Sequence, residues 1–143
     1  YPYLPQFRVK KALKLDERGY TYHPFGKFLK LGKLFFYHGH QYGGQYHAAN
    51  HLRKLGCNVM YGHWHDLQQM SATHMDGPKS AWSIGCLKDM SSEANLWLDG
   101  RRINWAHAFA IIDFYGKGLF TVNVVQIIDG KCSIRGKLID GNS

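Results

Sequence analysis

Two short stretches decide the fold: Leu34-Phe35-Phe36-Tyr37 running into His38-Gly39-His40, and Asn58-Val59-Met60-Tyr61 running into Gly62-His63-Trp64-His65-Asp66. Each is an apolar run of strand length that stops abruptly at glycine and histidine. Between them Tyr46 to Leu55 has helical spacing, with Ala48, Ala49 and Leu52 expected to face inward and Gly56 as its stop. A strand, a helix and a second strand predict parallel neighbours joined by a right-handed crossover. Both histidine-bearing loops then open on the C-terminal edge of one sheet, the edge where open α/β sheets place their ligands.

Outward from this unit the pattern simplifies. Toward the N-terminus, Leu4 to Arg18 predicts a short helix with Gly19 past its end, followed by a loop with a short strand over Gly19 to Gly32. Arg8, Lys10, Lys11 and Lys14 give that helix a basic face, which reads first as a solvated face and second as a phosphate contact. Toward the C-terminus, strands are expected at Gln68 to Thr73 and Lys79 to Ile84, then a loop in which Glu93 to Leu98 makes a helical turn. Ala106 to Phe114, Leu119 to Ile127 and Lys131 to Arg135 complete an antiparallel half, with hairpin turns at Tyr115-Gly116-Lys117-Gly118 and Asp129-Gly130.

The whole is expected to be a single α/β domain over residues 1–143, since 45% of the residues are hydrophobic and 15% aromatic, enough for one core. No apolar stretch reaches the roughly 20 residues of a membrane-spanning helix, and a soluble, cytoplasmic protein is expected. Cys57, Cys86 and Cys132 form no CxxC pair and read as reduced, mostly buried thiols. Eighteen Lys and Arg against ten Asp and Glu give a net charge of +8, a balance that favours phosphate-bearing or nucleic-acid partners.

Of the nine histidines, His38, His63 and His65 form the constellation that bears chemistry. Neutral imidazole is a common ligand for first-row transition metals, and a His-x-His pair at a strand end can aim two rings into one cavity. Gly39 and Gly62 beside them remove the Cβ that would crowd such a site. His47 and His51 lie four apart on the helix, a spacing that also marks one exposed face, and are given no role. His23, His74 and His107 lack ligand-like company.

Tyr37-His38-Gly39-His40 and Tyr61-Gly62-His63-Trp64-His65 resemble the last two signature blocks of the calcineurin-like metallophosphoesterases. Trp82-Ser83-Ile84-Gly85-Cys86 is similar to the strand and turn that often follow them, so that the resemblance covers about Lys33 to Cys86. It implies the C-terminal half of an α/β/β/α sandwich and hydrolysis of phosphate esters at a site of two divalent transition metals. Manganese is the first choice, with iron, nickel or zinc as alternatives. By position, His38 and His63 would hold one metal and His65 the other. His40 would stand near the substrate phosphate as hydrogen-bond donor or proton source, or else orient a ligand.

The family's earlier blocks, Asp-x-His, Gly-Asp-x-x-Asp and Gly-Asn-His-Asp/Glu, do not occur in this sequence. None of the ten acidic residues has those neighbours, so the bridging carboxylate is wanting. Two expectations follow. One is the C-terminal part of a longer or cleaved enzyme, completed by an N-terminal half or a complementary chain, which a first residue of Tyr rather than Met favours; the other is a fold that kept a binding role after losing catalysis. A phosphodiesterase or nuclease is the leading activity, with a phosphomonoesterase close behind. A scaffold for a protein partner, a basic nucleic-acid-binding module and a three-histidine zinc hydrolase are the competing readings. Trp64, Trp97 and Trp105, with Arg101 and Arg102, could stack on and neutralise a nucleic-acid strand, although core or rim packing is the first reading of the tryptophans.

Overall fold

The computed structural model describes residues 8–101 and 103–142. Its elements in order are α1 (Val9–Ala12), β1 (Leu29–Leu31), β2 (Leu34–Phe36), α2 (His47–Leu55), β3 (Asn58–Tyr61), β4 (Leu67–His74) and β5 (Gly77–Ile84). A 3-10 turn (Glu93–Leu98), β6 (Ala108–Tyr115), β7 (Leu119–Gln126), β8 (Lys131–Ile134) and β9 (Lys137–Asp140) follow. The result is a mixed α/β fold with few helices.

Five strands form the central sheet in the order β1-β2-β3-β5-β4. The expected strand, helix, strand unit is its centre: β2 and β3 are parallel neighbours with Phe35 opposite Val59, and β5 extends the parallel set with Trp82 opposite Met60. The outer strands β1 and β4 run antiparallel. Because successive strand residues point to opposite faces, this sheet builds two cores. On one face Tyr37, Val59, Tyr61 and Ala81 pack against Ala48 and Leu52 of α2. On the other Leu34, Met60 and Trp82 pack against Ala110, Ile112, Phe120, Val122 and Val124 of the β6–β7 hairpin. The sheet is therefore sandwiched between a helix and a two-stranded ribbon.

One contact pins the ribbon to the sheet. The Lys33 N–H donates to the Gly118 carbonyl at 2.9 Å, and a Cβ placed on Gly32 would stand 2.6 Å from that same oxygen. A Cβ on Gly118 would in turn meet Gly32 Cα at 2.9 Å. Both residues have positive φ, and only glycine allows these two turns to lie backbone on backbone.

Several expectations need correction. The first helix is one turn long, not a span from Leu4 to Arg18, of which residues 4–7 lie outside the described part. Lys14 takes a left-handed backbone at φ +50°, and Val9 and Leu13 are half exposed. With no buried face, nothing stabilises a longer helix. His47 and His51 sit on the buried arc of α2 rather than on an exposed one. Cys57, Cys86 and Cys132 are free thiols as expected, but only half-buried. Strand β9, paired antiparallel with β8, was not foreseen. Among the described residues no helix is long and apolar enough to cross a membrane.

Candidate functional site

The parallel pairing of β2 and β3 continues past both strand ends, where the His63 N–H donates to the His38 carbonyl at 2.9 Å. That bond sets the two histidine loops side by side. The His38 Nε2 and His63 Nδ1 atoms meet at 2.7 Å, with ring centroids 4.6 Å apart at 69°. At this separation one ring nitrogen donates its hydrogen to the other. Burial holds His63 below the ordinary histidine range, and the charges of His38, His40, His65 and His47 press it further down. Near neutral pH its ring is in the uncharged form that binds metals.

Gly39 explains how the first loop fits. At φ +101° its ideal Cβ would stand 2.5 Å from the Tyr61 ring, so the chain turns the corner after β2 only without a side chain. The Trp64 indole N–H then donates to the Gly39 carbonyl at 3.1 Å, tying the second loop to the first.

His40 and His65 are placed differently. The His40 ring centroid lies 5.8 Å from that of His38 and 6.4 Å from that of His63. It stacks on Phe25 at 4.3 Å, and its Nδ1 is buried with no hydrogen-bond partner. His65 packs edge-on against Trp105 at 4.9 Å and has a left-handed backbone at φ +60°, uncommon for a residue with a Cβ. Burial lowers its proton affinity, and the charges of His38 and Lys88 add to that, so it lies within electrostatic reach of the pair. Among the described residues, no group of three or more His, Cys, Asp or Glu side chains is arranged to hold a metal ion. The chain brings two of the expected ligands together and turns the third aside.

Sequence reasoning missed the network beneath this edge. His47, the first residue of α2, presents Nε2 to both carboxylate oxygens of Asp66 at 3.0 and 2.9 Å, and its Nδ1 lies 2.7 Å from the Tyr61 hydroxyl. With the Nε2 hydrogen directed at the carboxylate, Nδ1 accepts from the tyrosine. Asp66 also accepts from the Ser83 hydroxyl at 2.8 Å and from the Gln68 amide at 2.9 Å. His47, Asp66 and Ser83 are all buried. His47 further stacks on Trp64 at 5.2 Å and 20°, so it touches the residues on both sides of His65. The signal was present in the helix, since positions 47, 48, 51, 52 and 55 share one face and Arg53 and Lys54 take the other.

The donor set tests what could be held. The imidazole nitrogens of His38 and His63 suit one end of a transition-metal site, and Zn, Mn, Fe and Ni all accept such donors. Asp66, the acidic residue of the His63–His65 block, spends its carboxylate on His47, Ser83 and Gln68 and so serves the scaffold. A dinuclear centre also needs a bridging carboxylate, and the one acidic residue of these two loops is the already engaged Asp66. Comparison with protein-family models finds none that matches this chain, and comparison with curated proteins finds no match.

Proposed function

We propose that this chain is the histidine-bearing part of a metal-dependent phosphoesterase, most simply a phosphodiesterase or nuclease, whose remaining ligands come from residues outside it. The observation that carries the reading is the His38–His63 pair, 2.7 Å apart at the C-terminal edge of adjacent parallel strands. In this reading the sheet is one half of an α/β/β/α sandwich, and the preceding segment or a complementary chain supplies the other half. His38 and His63 hold one divalent metal, manganese first, with iron, nickel or zinc as alternatives, and His65 holds the second after turning from Trp105. When bound, such a metal pair activates water and neutralises charge on the phosphoryl group. The chain's own part is to keep the His63 and His65 imidazoles uncharged, to align them with His38 and to present His40 beside the phosphate as a donor. A cytoplasmic setting, where the three cysteines stay reduced, belongs to the same proposal.

The test is manganese binding to metal-free protein, followed by electron paramagnetic resonance. His38→Ala and His63→Ala should each weaken binding by at least about tenfold, the scale for losing even a residue that only orients a ligand. His107→Ala should leave it unchanged. Equal binding by all four proteins overturns the metal site.

A second reading, a nucleic-acid-binding module, rests on the tryptophans beside His65. Trp97 is 59% exposed and lies 5.8 Å from Trp105, which also has the Lys88 ammonium over its ring at 5.9 Å. Under that reading His63→Ala and His65→Ala leave the salt dependence of DNA binding unaltered, because the phosphate contacts lie elsewhere.

A further inference from the structure

We propose that the cavity between the Tyr22–Lys27 segment and the end of β2 is a subsite for the planar base of a nucleotide phosphate ester, an inference that rests on the phosphoesterase reading above. The cavity holds about 420 Å³, and Tyr22, Phe25, Lys27, Phe36, Tyr37 and His38 are among its walls. That volume lies in the roughly 300–1,000 Å³ range of small-molecule sites.

Phe25 is the centre of the argument. One face of its ring rests on His40 at 4.3 Å and 25°, yet the residue remains 71% exposed. The imidazole fixes the ring without covering it, and a fixed, uncovered aromatic face is what a base stacks on. Exposed tyrosine surface at Tyr22 widens the platform.

Charge selects among planar ligands. Lys27 lines the cavity and no Asp or Glu does, so an anion is favoured there. His38 supplies the link to the chemistry, because it forms part of the cavity wall and also meets His63. A ligand with its base against Phe25 and its phosphate toward His38 satisfies both ends at once. An alkyl or sugar phosphate would use the charge and leave the aromatic wall idle.

The experiment is ligand-observed nuclear magnetic resonance on the full chain in chelator, with adenosine monophosphate, ribose 5-phosphate and inorganic phosphate as probes. Adenosine monophosphate should bind more tightly than ribose 5-phosphate, by roughly 5- to 150-fold for one stacked base. Phe25→Ala should remove that difference and Phe25→Trp should keep it. Equal binding of the two ligands, no binding of adenosine monophosphate, or an unchanged preference in Phe25→Ala overturns the subsite. Metal is absent throughout, so manganese binding that is equal in the parent, His38→Ala and His63→Ala, with the base preference intact, removes the phosphoesterase reading and leaves the base site standing.

Discussion

The Trp64 indole N–H reaches the Gly39 carbonyl at 3.1 Å, so the loop after β3 is bonded by side chain as well as backbone to the loop after β2. Trp64→Phe keeps an aromatic ring over His47 and deletes this donor. It should cost about 0.5–1.5 kcal/mol, the usual net worth of one hydrogen bond, and loosen the His38–His63 approach. Chemical denaturation measures the first effect, and manganese affinity, expected to fall with it, measures the second.

Gly39→Ala tests the corner itself. Its Cβ would meet the Tyr61 ring at 2.5 Å in a backbone conformation that disfavours side chains. Overpacking costs about 1–3 kcal/mol and a left-handed non-glycine residue about as much again. A clear drop in thermal midpoint is expected, and a variant as stable as the parent would show that the loop has another route.

Asp66 offers a sharper stability test. Its carboxylate is the common acceptor for His47, Ser83 and Gln68 in a buried setting. Asp66→Ala leaves all three donors without it, and removing one member of a buried, paired group costs on the order of 3–5 kcal/mol. Urea unfolding should show that loss, whereas Asp76→Ala, which removes an exposed carboxylate paired with the partly buried Lys79, should leave stability nearly unchanged.

Acid sensitivity is expected from His51. Burial holds its pKa below the ordinary value, opposed in part by backbone acceptors and aided by the charge of His47. Its Nδ1–H donates to the His47 carbonyl at 2.7 Å, which leaves a buried Nε2 with no partner. The unfolded chain takes up a proton at about pH 6.5, before the folded one does. The contribution is therefore complete above that pH and is lost as pH falls through the lower, folded value. His51→Phe preserves stacking on Tyr61 and cannot protonate, so thermal melts at about pH 7.5 and about pH 5 should differ less for it than for the parent.

The sequence made the centre of the sheet legible because its signals agreed. Val59 and Met60 are β-formers placed before glycine, Ala48 and Leu52 share a helical face, and the crossover rule fixes the rest. It made the ends less legible. α1 shrinks because Val9 and Leu13 find no partner surface, and β9 depends on pairing with β8, which hydrophobic pattern alone does not reveal. At the candidate site the expected need for glycine holds at Gly39, where a Cβ would meet the Tyr61 ring at 2.5 Å, and not at Gly62, where a Cβ would meet only the Gly85 carbonyl at 3.7 Å. The turning of His65 toward Trp105 depends on residues 40 positions away, and the burial of His47 depends on Asp66; neither contact leaves a local trace.

Gly32 and Gly118 meet at the end of the sheet remote from the histidines. The molecule thus has a riveted pole and a histidine-bearing pole, joined by the same three parallel strands. Beyond the Gly39 corner, loops at the histidine-bearing pole can lengthen without prising the layers apart, while a Cβ on either glycine of the riveted pole would meet backbone at 2.6–2.9 Å. Diversification of this fold should consequently be lopsided, concentrated at one rim and frozen at the other.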